Sequence, residues 1–388
     1  MNIGIPSETL PSERRVALIP QIAAQLIKMG HSVQIQTDAG YAAGYPDAEY
    51  QERGATILKE RKGLFKEAEI VFQVNGLGLN PTKGKADLKL MKQGQIVIAM
   101  LDPLWACESM ETYAQQGVTT FALELIPRIT RAQSMDILSS MATVAGYKAV
   151  LLGANQLDKM FPMLMTAAGS LAPAKVLVIG AGVAGLQAIA TAKRLGAVVS
   201  GYDIRPVVRE QVESLGAKFV ELDLRTEGSE DKGGYAKAQD EAFYTRQREL
   251  MGDVIAEHDL VISTAAIPGR KSPVLITKEM VQKMQPGSVI VDIAAERGGN
   301  CELTRLDETV EVNGITILGP GNLASSIPYH ASQMYAKNIA TFFKNLFNKE
   351  GEFDLNLDDE VIAETLITRD GKIVNKRVQE ALEARTGN

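Results

Sequence analysis

The fold is decided by the stretch Lys175-Val176-Leu177-Val178-Ile179-Gly180-Ala181-Gly182-Val183-Ala184-Gly185 and by the residues that follow it as far as Asp203. An apolar strand runs into a glycine-rich turn, and a helical stretch from Leu186 to Leu195 comes next. A second apolar run then ends in Asp203, close to the offset of about 20 residues at which dinucleotide folds place a ribose-binding acid. The stretch therefore predicts a strand, a turn and a helix that bind a dinucleotide.

Each glycine of the turn has an expected task. Gly180 allows the chain to leave the strand sharply, and Gly182 lets backbone N–H groups approach a pyrophosphate. Gly185 lets the helix pack closely on the sheet, with the positive N-terminus of the helix facing the phosphates. A membrane span is the alternative for the apolar run from Val176 to Ala192, but internal glycines and a length below about 20 residues argue against it.

The composition limits the class of protein. With 388 residues the chain exceeds what one core usually supports, so two domains are expected. A hydrophobic content of 45% and a charged content of 23% are those of a soluble globular protein. The net charge of −6 argues against a general nucleic-acid or anionic-membrane binder.

Cysteine and histidine usage argues against disulfides and metal sites. Cys107 and Cys301 lie far apart in the sequence and form no CxxC motif, as expected in a reducing compartment. His31, His258 and His330 have no metal-ligand spacing and are expected to be structural. The N-terminus shows no basic region followed by a long apolar stretch, so no signal peptide is expected and the cytoplasm is the predicted location.

Apolar runs alternate with amphipathic ones along most of the chain. This alternation predicts an α/β protein whose mostly parallel sheets are covered by helices on both faces. The predicted strands are 3–5, 32–36, 70–74, 96–100, 119–122, 175–179, 197–202, 260–263, 289–294 and 316–318, and the predicted helices are 20–29, 48–53, 107–116, 139–156, 186–195 and 331–347.

These elements divide into two predicted Rossmann-like domains. Residues 1–138 and 329–388 form an N-terminal α/β domain completed by the C-terminal helix, and residues 139–328 form the nucleotide-binding domain. Both domains are expected to contain mostly parallel, doubly wound sheets. They are expected to be joined by long helices, with an interdomain cleft.

Two polar segments interrupt this pattern. Residues 78–85 superficially resemble a phosphate loop, but five residues precede Gly84-Lys85 and Ala86 stands where Ser or Thr should hold magnesium, so a surface loop is predicted. Residues 221–249 are almost uniformly polar around Gly233-Gly234-Tyr235. They form either a flap that closes over a ligand or a solvated loop that ends in a surface helix.

A third polar segment, from Glu124 to Ser139, lies at the predicted domain junction. Its amide, guanidinium, carboxylate and hydroxyl groups are able to converge on a nicotinamide carboxamide and ribose. By chemistry alone, a polar loop that caps a helix is an equally good interpretation.

Together these motifs resemble the NAD(H)-binding α subunits, domain I, of the proton-translocating nicotinamide nucleotide transhydrogenases, which are related to alanine dehydrogenase. The resemblance covers nearly the whole chain. It rests on residues 3–6, Arg14-Arg15-Val16-Ala17, the segment from Arg128 to Ser139, the glycine turn, Gly233-Gly234-Tyr235 and residues 291–294.

The resemblance implies which residues bind the cofactor. Four residues are implied to surround the nicotinamide of NAD(H) and to carry catalysis: Arg128, Gln133, Asp136 and Ser139. Asp203 is implied to hold the adenosine ribose, and Tyr235 to close over the bound nucleotide. The full set of implied cofactor-binding residues is Gly180, Gly182, Val183, Gly185, Asp203, Ile204, Arg205, Gly234, Tyr235, Gln247, Ala265 and Ala266.

Two of these positions qualify the expectation. Ala266 departs from the pattern, because a larger apolar residue is expected to line the adenine side. NAD(H) is expected to be preferred over NADP(H), because Asp203 would repel a 2′-phosphate. Arg205 would weaken this preference if its guanidinium turned inward and accepted the phosphate.

Alanine dehydrogenase shares the opening segment and the glycine turn, and Arg15 is retained. Alignment with the dehydrogenase pattern puts Asn75 where that family has a substrate-binding lysine, Asp102 where it has a catalytic histidine and Glu296 where it has an aspartate. An asparagine does not carry the positive charge that holds a keto acid, and a carboxylate repels one. The resemblance thus implies a chain that keeps the cofactor and lacks the organic substrate.

The implied function is that of an oxidoreductase subunit. It transfers hydride between NADH and NADP⁺ bound on a partner, with Re/Si specificity, coupled to proton translocation by membrane subunits. An NADP-binding β subunit, membrane-spanning subunits and a second copy in a homodimer are the implied partners, without nucleic acid, metal or direct membrane insertion. The implied location is cytoplasmic and peripheral on the inner or energy-transducing membrane. An alanine dehydrogenase-like enzyme and a non-catalytic NAD-sensing module are the alternatives.

Overall fold

The computed structural model describes residues 1–224, 240–267 and 269–386. These residues form two compact units. Unit 1 contains Met1–Met141 and Ser325–Asn388, and unit 2 contains Ala142–Ala324. The boundaries thus lie at 141/142 and 324/325, against the 138/139 and 328/329 expected from the sequence.

Strands and helices alternate along the chain. The strands are β1 Asn2–Ile5, β2 Ser32–Gln36, β3 Thr56–Leu58, β4 Ile70–Asn75, β5 Ile96–Met100, β6 Thr119–Ala122, β7 Leu164–Thr166, β8 Gly169–Leu171, β9 Lys175–Ile179, β10 Val198–Tyr202, β11 Lys218–Phe219, β12 Leu260–Ser263, β13 Val289–Asp292, β14 Thr309–Val312, β15 Ile315–Leu318, β16 Leu366–Arg369 and β17 Lys372–Ile373. The helices are α1 Pro20–Lys28, α2 Asp47–Glu52, α3 Arg61–Glu67, α4 Gly84–Leu88, α5 Cys107–Gln115, α6 Ile137–Gln156, α7 Val183–Arg194, α8 Arg209–Ser214, α9 Glu241–Ala256, α10 Lys278–Lys283, α11 Pro328–Lys344, α12 Glu360–Thr365 and α13 Lys376–Thr386.

The sheet of unit 1 has the order β17-β16-β6-β5-β4-β1-β2-β3. The strands from β6 to β3 are parallel, and β16 and β17 extend the β6 edge in antiparallel fashion. Every residue of β4 is buried, as expected for a strand that is covered on both faces. Between β1 and β4 the winding direction reverses, so a crevice forms at their carboxyl ends.

The sheet of unit 2 repeats this arrangement. Its order is β11-β10-β9-β12-β13-β15-β14, with only β14 antiparallel to its neighbour. The winding reverses between β9 and β12, so the glycine turn after β9 lies at the switch point. The expected pair of Rossmann-like domains with mostly parallel sheets is confirmed.

Most predicted elements are confirmed, and the differences have local causes. Helix α7 begins at Val183 instead of Leu186, because the Leu186 N–H already donates to the Gly182 carbonyl at 2.8 Å. The predicted helix 331–347 spans Pro328–Lys344, since a proline suits the first helical turn. Residues 78–85 are only partly a surface loop: α4 begins at Gly84, and Asn80 is 4% exposed.

Helix α6 is apolar along much of its length. Among the described residues it is the one helix long and apolar enough to cross a membrane, with a mean hydropathy of 1.4 in its most apolar window. In this structure 39% of that window is buried, and the core helix of a soluble protein passes the same test. The helix is therefore weak evidence for a membrane span.

Strands β7 and β8 form an antiparallel hairpin of their own in unit 2. Its surroundings carry exposed apolar side chains: Met163 is 56% exposed, Met165 81% and Leu171 46%. The hairpin thus presents an apolar surface, of a kind that marks interaction sites when it is contiguous.

Candidate functional site

The glycine turn follows β9 as the sequence predicts. Gly180 has a φ of +94°, a conformation that favours glycine, and a Cβ there would lie 2.6 Å from the Thr264 hydroxyl. A Cβ at Gly185 would collide with the Gly180 carbonyl oxygen, so this glycine is required for α7 to pack on the turn. The two outer glycines are therefore set by packing within the protein.

Gly182 differs from its two neighbours. It is the N-cap of α7, and a Cβ added to it would meet nothing within 4 Å among the described residues. No described side chain caps the N-terminus of α7, so its first N–H groups point to open space beside Val183. An open helix N-terminus with room for close backbone approach fits a pyrophosphate.

Asp203 follows β10 and is 9% exposed. Its carboxylate accepts hydrogen bonds from the Ala181 N–H at 2.8 Å and from Arg205 through the backbone N–H, Nε and Nη2 at 2.9, 2.9 and 2.8 Å. A carboxylate has about four lone-pair sites, so these four donors occupy it. Arg205 is thus held against the residue that the resemblance assigns to the ribose.

A pocket of about 460 Å³ lies beyond the carboxyl ends of β10 and β11. Tyr202, Asp203 and Ile204 form one side, and Phe219 to Leu224 contribute to the other. Arg209 also lines it, paired with Glu221. The volume lies within the range of small-molecule pockets, and its position beside Asp203 suits the adenosine end of a dinucleotide.

Gln247 on α9 is 2% exposed. Its Nε2 donates to the Tyr202 hydroxyl at 2.8 Å, whereas its Oε1 has no hydrogen-bond partner among the residues that the structure describes. A buried carbonyl oxygen without a donor is costly, so a ligand N–H at this position would be stabilised. This is the observation in unit 2 that sequence patterns did not offer.

The loop after β12 is fixed by residues that sequence reasoning missed. The Thr264 hydroxyl donates to the Gly180 carbonyl at 2.9 Å. Asn300, which is fully buried, accepts from the Ala265 N–H at 3.0 Å and donates to the Ala265 carbonyl at 2.8 Å. Ala265 is thereby clamped from both sides, and Ala266 is exposed. Thr264 follows a strand at the switch point and was detectable from that position; Asn300 carries no such signal.

Unit 1 contains the segment with the four residues implied to act on the nicotinamide. Gln133 belongs to a 3-10 turn, Thr130–Met135, and is exposed, as is Arg128. Asp136 precedes α6 and accepts from the Ser139 N–H at 2.9 Å and from the Ser139 hydroxyl at 2.6 Å. The structure therefore brings Asp136 and Ser139 together as an N-cap pair of α6, in line with the capping interpretation.

The crevice of unit 1, between β1 and β4, is filled by the chain itself. Arg15 is 4% exposed and forms a two-pronged ion pair with Glu13, with Nε–Oε1 at 2.7 Å and Nη2–Oε2 at 2.6 Å. Asn75 Nδ2 donates to the same Glu13 at 2.8 Å. The guanidinium that would hold a keto acid carboxylate thus already holds one of the protein's own carboxylates.

Glu8 completes this polar cluster. It accepts from the backbone N–H groups of Val74 and Asn75 at 2.6 and 3.2 Å. Burial, together with the negative charge of Glu13, raises the pKa of Glu8 to about 8. The cluster therefore tends to hold a proton at neutral pH.

Asp102, in the position of the dehydrogenase histidine, ends β5 with a φ of +53°. Its N–H and that of Leu101 donate to Glu124, and burial raises the pKa of Glu124 to about 7. Glu296, in the position of the dehydrogenase aspartate, accepts from the Asn322 N–H at 3.0 Å. Neither position offers an imidazole for proton transfer.

Some expectations concern other residues. Gly234 and Tyr235, with most of the predicted flap, lie outside the described residues, and the 221–249 segment ends in α9. His258 is held between the Val254 carbonyl and the Ser200 hydroxyl, at 2.6 and 3.1 Å. In the described ranges, no group of three or more His, Cys, Asp and Glu side chains has the arrangement of a metal site.

Comparison with known proteins agrees with this geometry. Residues 4–145 match the family "Alanine dehydrogenase/PNT, N-terminal domain", and residues 149–376 match "Alanine dehydrogenase/PNT, C-terminal domain". The chain is 43% identical over 388 residues to the first portion of NAD(P) transhydrogenase subunit alpha of Rickettsia prowazekii, covering 100% of both chains. It is 31% identical to the alanine dehydrogenase of Halomonas elongata, covering 98% of this chain and 96% of that one.

A solved structure extends the likeness to three dimensions. The crystal structure of transhydrogenase from Sinorhizobium meliloti matches with a TM-score of 0.85 and 42% identity, covering 96% of this chain and 100% of that one. Both family domains, one with an open glycine turn and one with a filled crevice, are thus accounted for. The chain belongs to the alanine dehydrogenase/PNT family.

Proposed function

We propose that this chain is the NAD(H)-binding subunit of a proton-translocating NAD(P) transhydrogenase. It passes hydride between its own NADH and NADP⁺ held by a partner subunit, with Re/Si specificity. The observation that carries the proposal is the contrast between the two switch points. One has an open helix N-terminus at Gly182, and the other is closed by Glu13, Arg15 and Asn75.

The nucleotide end of the proposal rests on unit 2. Gly182 and the N-terminus of α7 receive the pyrophosphate, and Asp203 receives the adenosine ribose. The pocket between β10 and β11 accommodates the adenine, where Gln247 Oε1 supplies a hydrogen-bond acceptor. Ala265, held by Asn300, is a fixed backbone element beside the turn. Gly234 and Tyr235 are proposed to cover the nucleotide, by the resemblance alone.

For the nicotinamide end we propose Arg128, Gln133, Asp136 and Ser139. Hydride exchange between two nicotinamides requires no acid or base from the protein, so the contribution of these residues is to orient the ring. Gln133 has an exposed amide, the group that best matches a carboxamide in donors and acceptors. Asp136 and Ser139 hold the start of α6 and thereby fix the end of the segment.

The amino-acid dehydrogenase alternative is disfavoured by the contacts of Arg15. A keto acid would have to displace Glu13 from a buried, two-pronged ion pair, and breaking such a pair without replacing both partners is strongly unfavourable. Asn75 adds no positive charge. The 31% identity to an alanine dehydrogenase is therefore better explained by shared ancestry of the scaffold than by a shared substrate.

The proposal includes partners and location. An NADP-binding β subunit accepts the hydride, membrane-spanning subunits move the protons, and the chain stays on the cytoplasmic face as a peripheral subunit. A homodimer is also proposed. The exposed apolar hairpin around Met165 supports an additional protein contact of this kind.

The test is reconstitution with the NADP-binding partner. Purified chain and partner are mixed with NADH and an NADP⁺ analogue, and hydride transfer is followed by stopped-flow absorbance. Rapid transfer supports the proposal, and NADH binding without transfer would identify an NAD sensor. Turnover of pyruvate, ammonia and NADH by the chain alone would identify an alanine dehydrogenase and contradict it.

A further inference from the structure

The 3-10 turn that carries Gln133 has one buried side. In a 3-10 helix, residues three apart lie in one row. Ala132 and Met135 are 0% and 6% exposed and anchor one row in the protein. Gln133 lies in a neighbouring row and is exposed, so its direction depends on how the whole turn is rotated about its axis.

A first tether comes from the C-terminal stretch of unit 1. Arg131, on the same turn, forms a two-pronged ion pair with Asp359, with Nη1–Oδ2 at 3.1 Å and Nη2–Oδ1 at 2.7 Å. Asp359 Oδ1 also accepts from the Val361 N–H at 2.8 Å and so caps the N-terminus of α12. The carboxylate is thus fixed by its own helix before it binds the arginine, which makes it a rigid anchor.

A second tether holds the end of the turn. Asn338 on α11 is 6% exposed, and its Nδ2 donates to the Ser134 carbonyl at 2.9 Å. The two tethers lie on either side of Gln133 in the sequence. With one buried row and two lateral contacts, the turn has little freedom to rotate.

We infer that Arg131 and Asp359 are positioning residues for Gln133 in hydride transfer. The inference rests on the proposed function and adds residues that touch no part of the nucleotide in that proposal. The ion pair is partly exposed, with 46% of the Arg131 and 23% of the Asp359 side chain accessible, so its loss has little effect on global stability. A small rotation of Gln133 nevertheless has a large effect on rate, because a displacement near 1 Å costs on the order of 100-fold.

The experiment compares Arg131→Gln, Asp359→Asn and the double variant. Asparagine retains the N-cap of α12, so Asp359→Asn removes the charged pair without removing the cap. Glu108→Gln is the matched control, because Glu108 pairs with Arg385 at 3.0 Å on the surface of the same unit, at other residues. Three quantities are measured: hydride transfer with the partner subunit, equilibrium NADH affinity, and amide hydrogen exchange of residues 130–136 in the free chain.

Each single variant is expected to slow hydride transfer by about 10-fold, a fraction of the loss that a full 1 Å displacement causes. NADH affinity should change less than about twofold, and the double variant should be no slower than either single one, since both act through one pair. Exchange of the Asp136 and Ala132 amides should increase, and Glu108→Gln should leave all three quantities unchanged.

Equal losses of rate and affinity, additive effects in the double variant, or unchanged hydrogen exchange would each overturn the inference. Failure of the unaltered chain and partner to transfer hydride would instead overturn the proposed function. In that case the hydrogen exchange of the free chain still decides whether the pair holds the turn.

Discussion

Replacing Arg205 by glutamine is expected to widen the preference for NADH over NADPH. In the structure the guanidinium lies on Asp203, with Nη2–Oδ2 at 2.8 Å, and only 11% of its side chain is exposed. The pair presents almost no net charge to a ligand. Asp203 alone would repel a 2′-phosphate, so Arg205 reduces the discrimination that the aspartate would otherwise provide.

The magnitude follows from Coulomb's law. Two unit charges about 4 Å apart at an effective dielectric constant near 20 interact by roughly 4 kcal/mol. Solvent around the ribose screens part of this, and about 2 kcal/mol is a fair net value, which corresponds to a roughly 30-fold change in affinity ratio. NADH affinity should be unchanged or slightly higher, because removing the guanidinium frees lone pairs of Asp203 for the ribose hydroxyls.

The assay is calorimetric titration of NADH and NADPH into both proteins, at fixed ionic strength because exposed charges are screened by salt. Arg209→Gln is the matched control: Arg209 lines the same pocket but pairs with Glu213 and Glu221. Thermal melting checks that each variant is folded. If Arg205→Gln weakened both nucleotides equally, or if Arg209→Gln had the same effect on the ratio, the role given to the Asp203–Arg205 pair would be wrong.

Gln133→Asn should slow hydride transfer roughly 100-fold with a much smaller loss of NADH affinity, measured by stopped flow beside equilibrium binding; a proportional loss of both would show uniform binding instead of positioning. Gly182→Ala should leave the melting temperature nearly unchanged but weaken NADH binding by about 10-fold or more, because its Cβ enters open space that the pyrophosphate needs. Gly185→Ala should do the opposite and destabilise the fold by about 2 kcal/mol or more, since its Cβ collides with the Gly180 carbonyl; equal melting temperatures for the two variants would contradict this. Folded Glu8 keeps its proton up to about pH 8, whereas the ordinary value is 4.5, so between these limits the folded state binds more protons and stability falls as pH rises. The slope is at most about 1.4 kcal/mol per pH unit, and denaturant unfolding of Glu8→Gln from pH 5 to 8 should show a flatter profile.

Local patterns predicted the elements around the glycine turn, because strand, turn and helix are each set by neighbouring residues. The conformation of Gly180 is one example, since only glycine readily adopts its φ. The strands β16 and β17 were missed, because they are short and join the sheet only through an antiparallel contact with β6 far earlier in the chain. Such pairings depend on the tertiary fold and leave little periodicity in the sequence.

The contents of the two switch points were less predictable than their locations. Arg15 and Asn75 were recognised from the sequence, but not Glu13, whose carboxylate reaches both only because of the path of the loop after β1. Asp203 was predicted as a ribose ligand without the four donors that surround it. Side-chain partners of this kind are chosen by burial, which single-sequence patterns do not specify.

Unit 1 is built from two stretches of chain with all of unit 2 between them, and this arrangement sets the order of events during synthesis. Unit 2 is complete once residue 324 has left the ribosome, whereas the sheet of unit 1 still lacks β16. Until then β6 exposes an unpaired edge, the kind of surface on which nascent chains join one another. The Thr120 hydroxyl meets that of Thr368 at 2.8 Å only after nearly the whole chain has been made. The first domain to begin is thus the last to close, and a chain that stops before Leu366 leaves β6 open to aggregation.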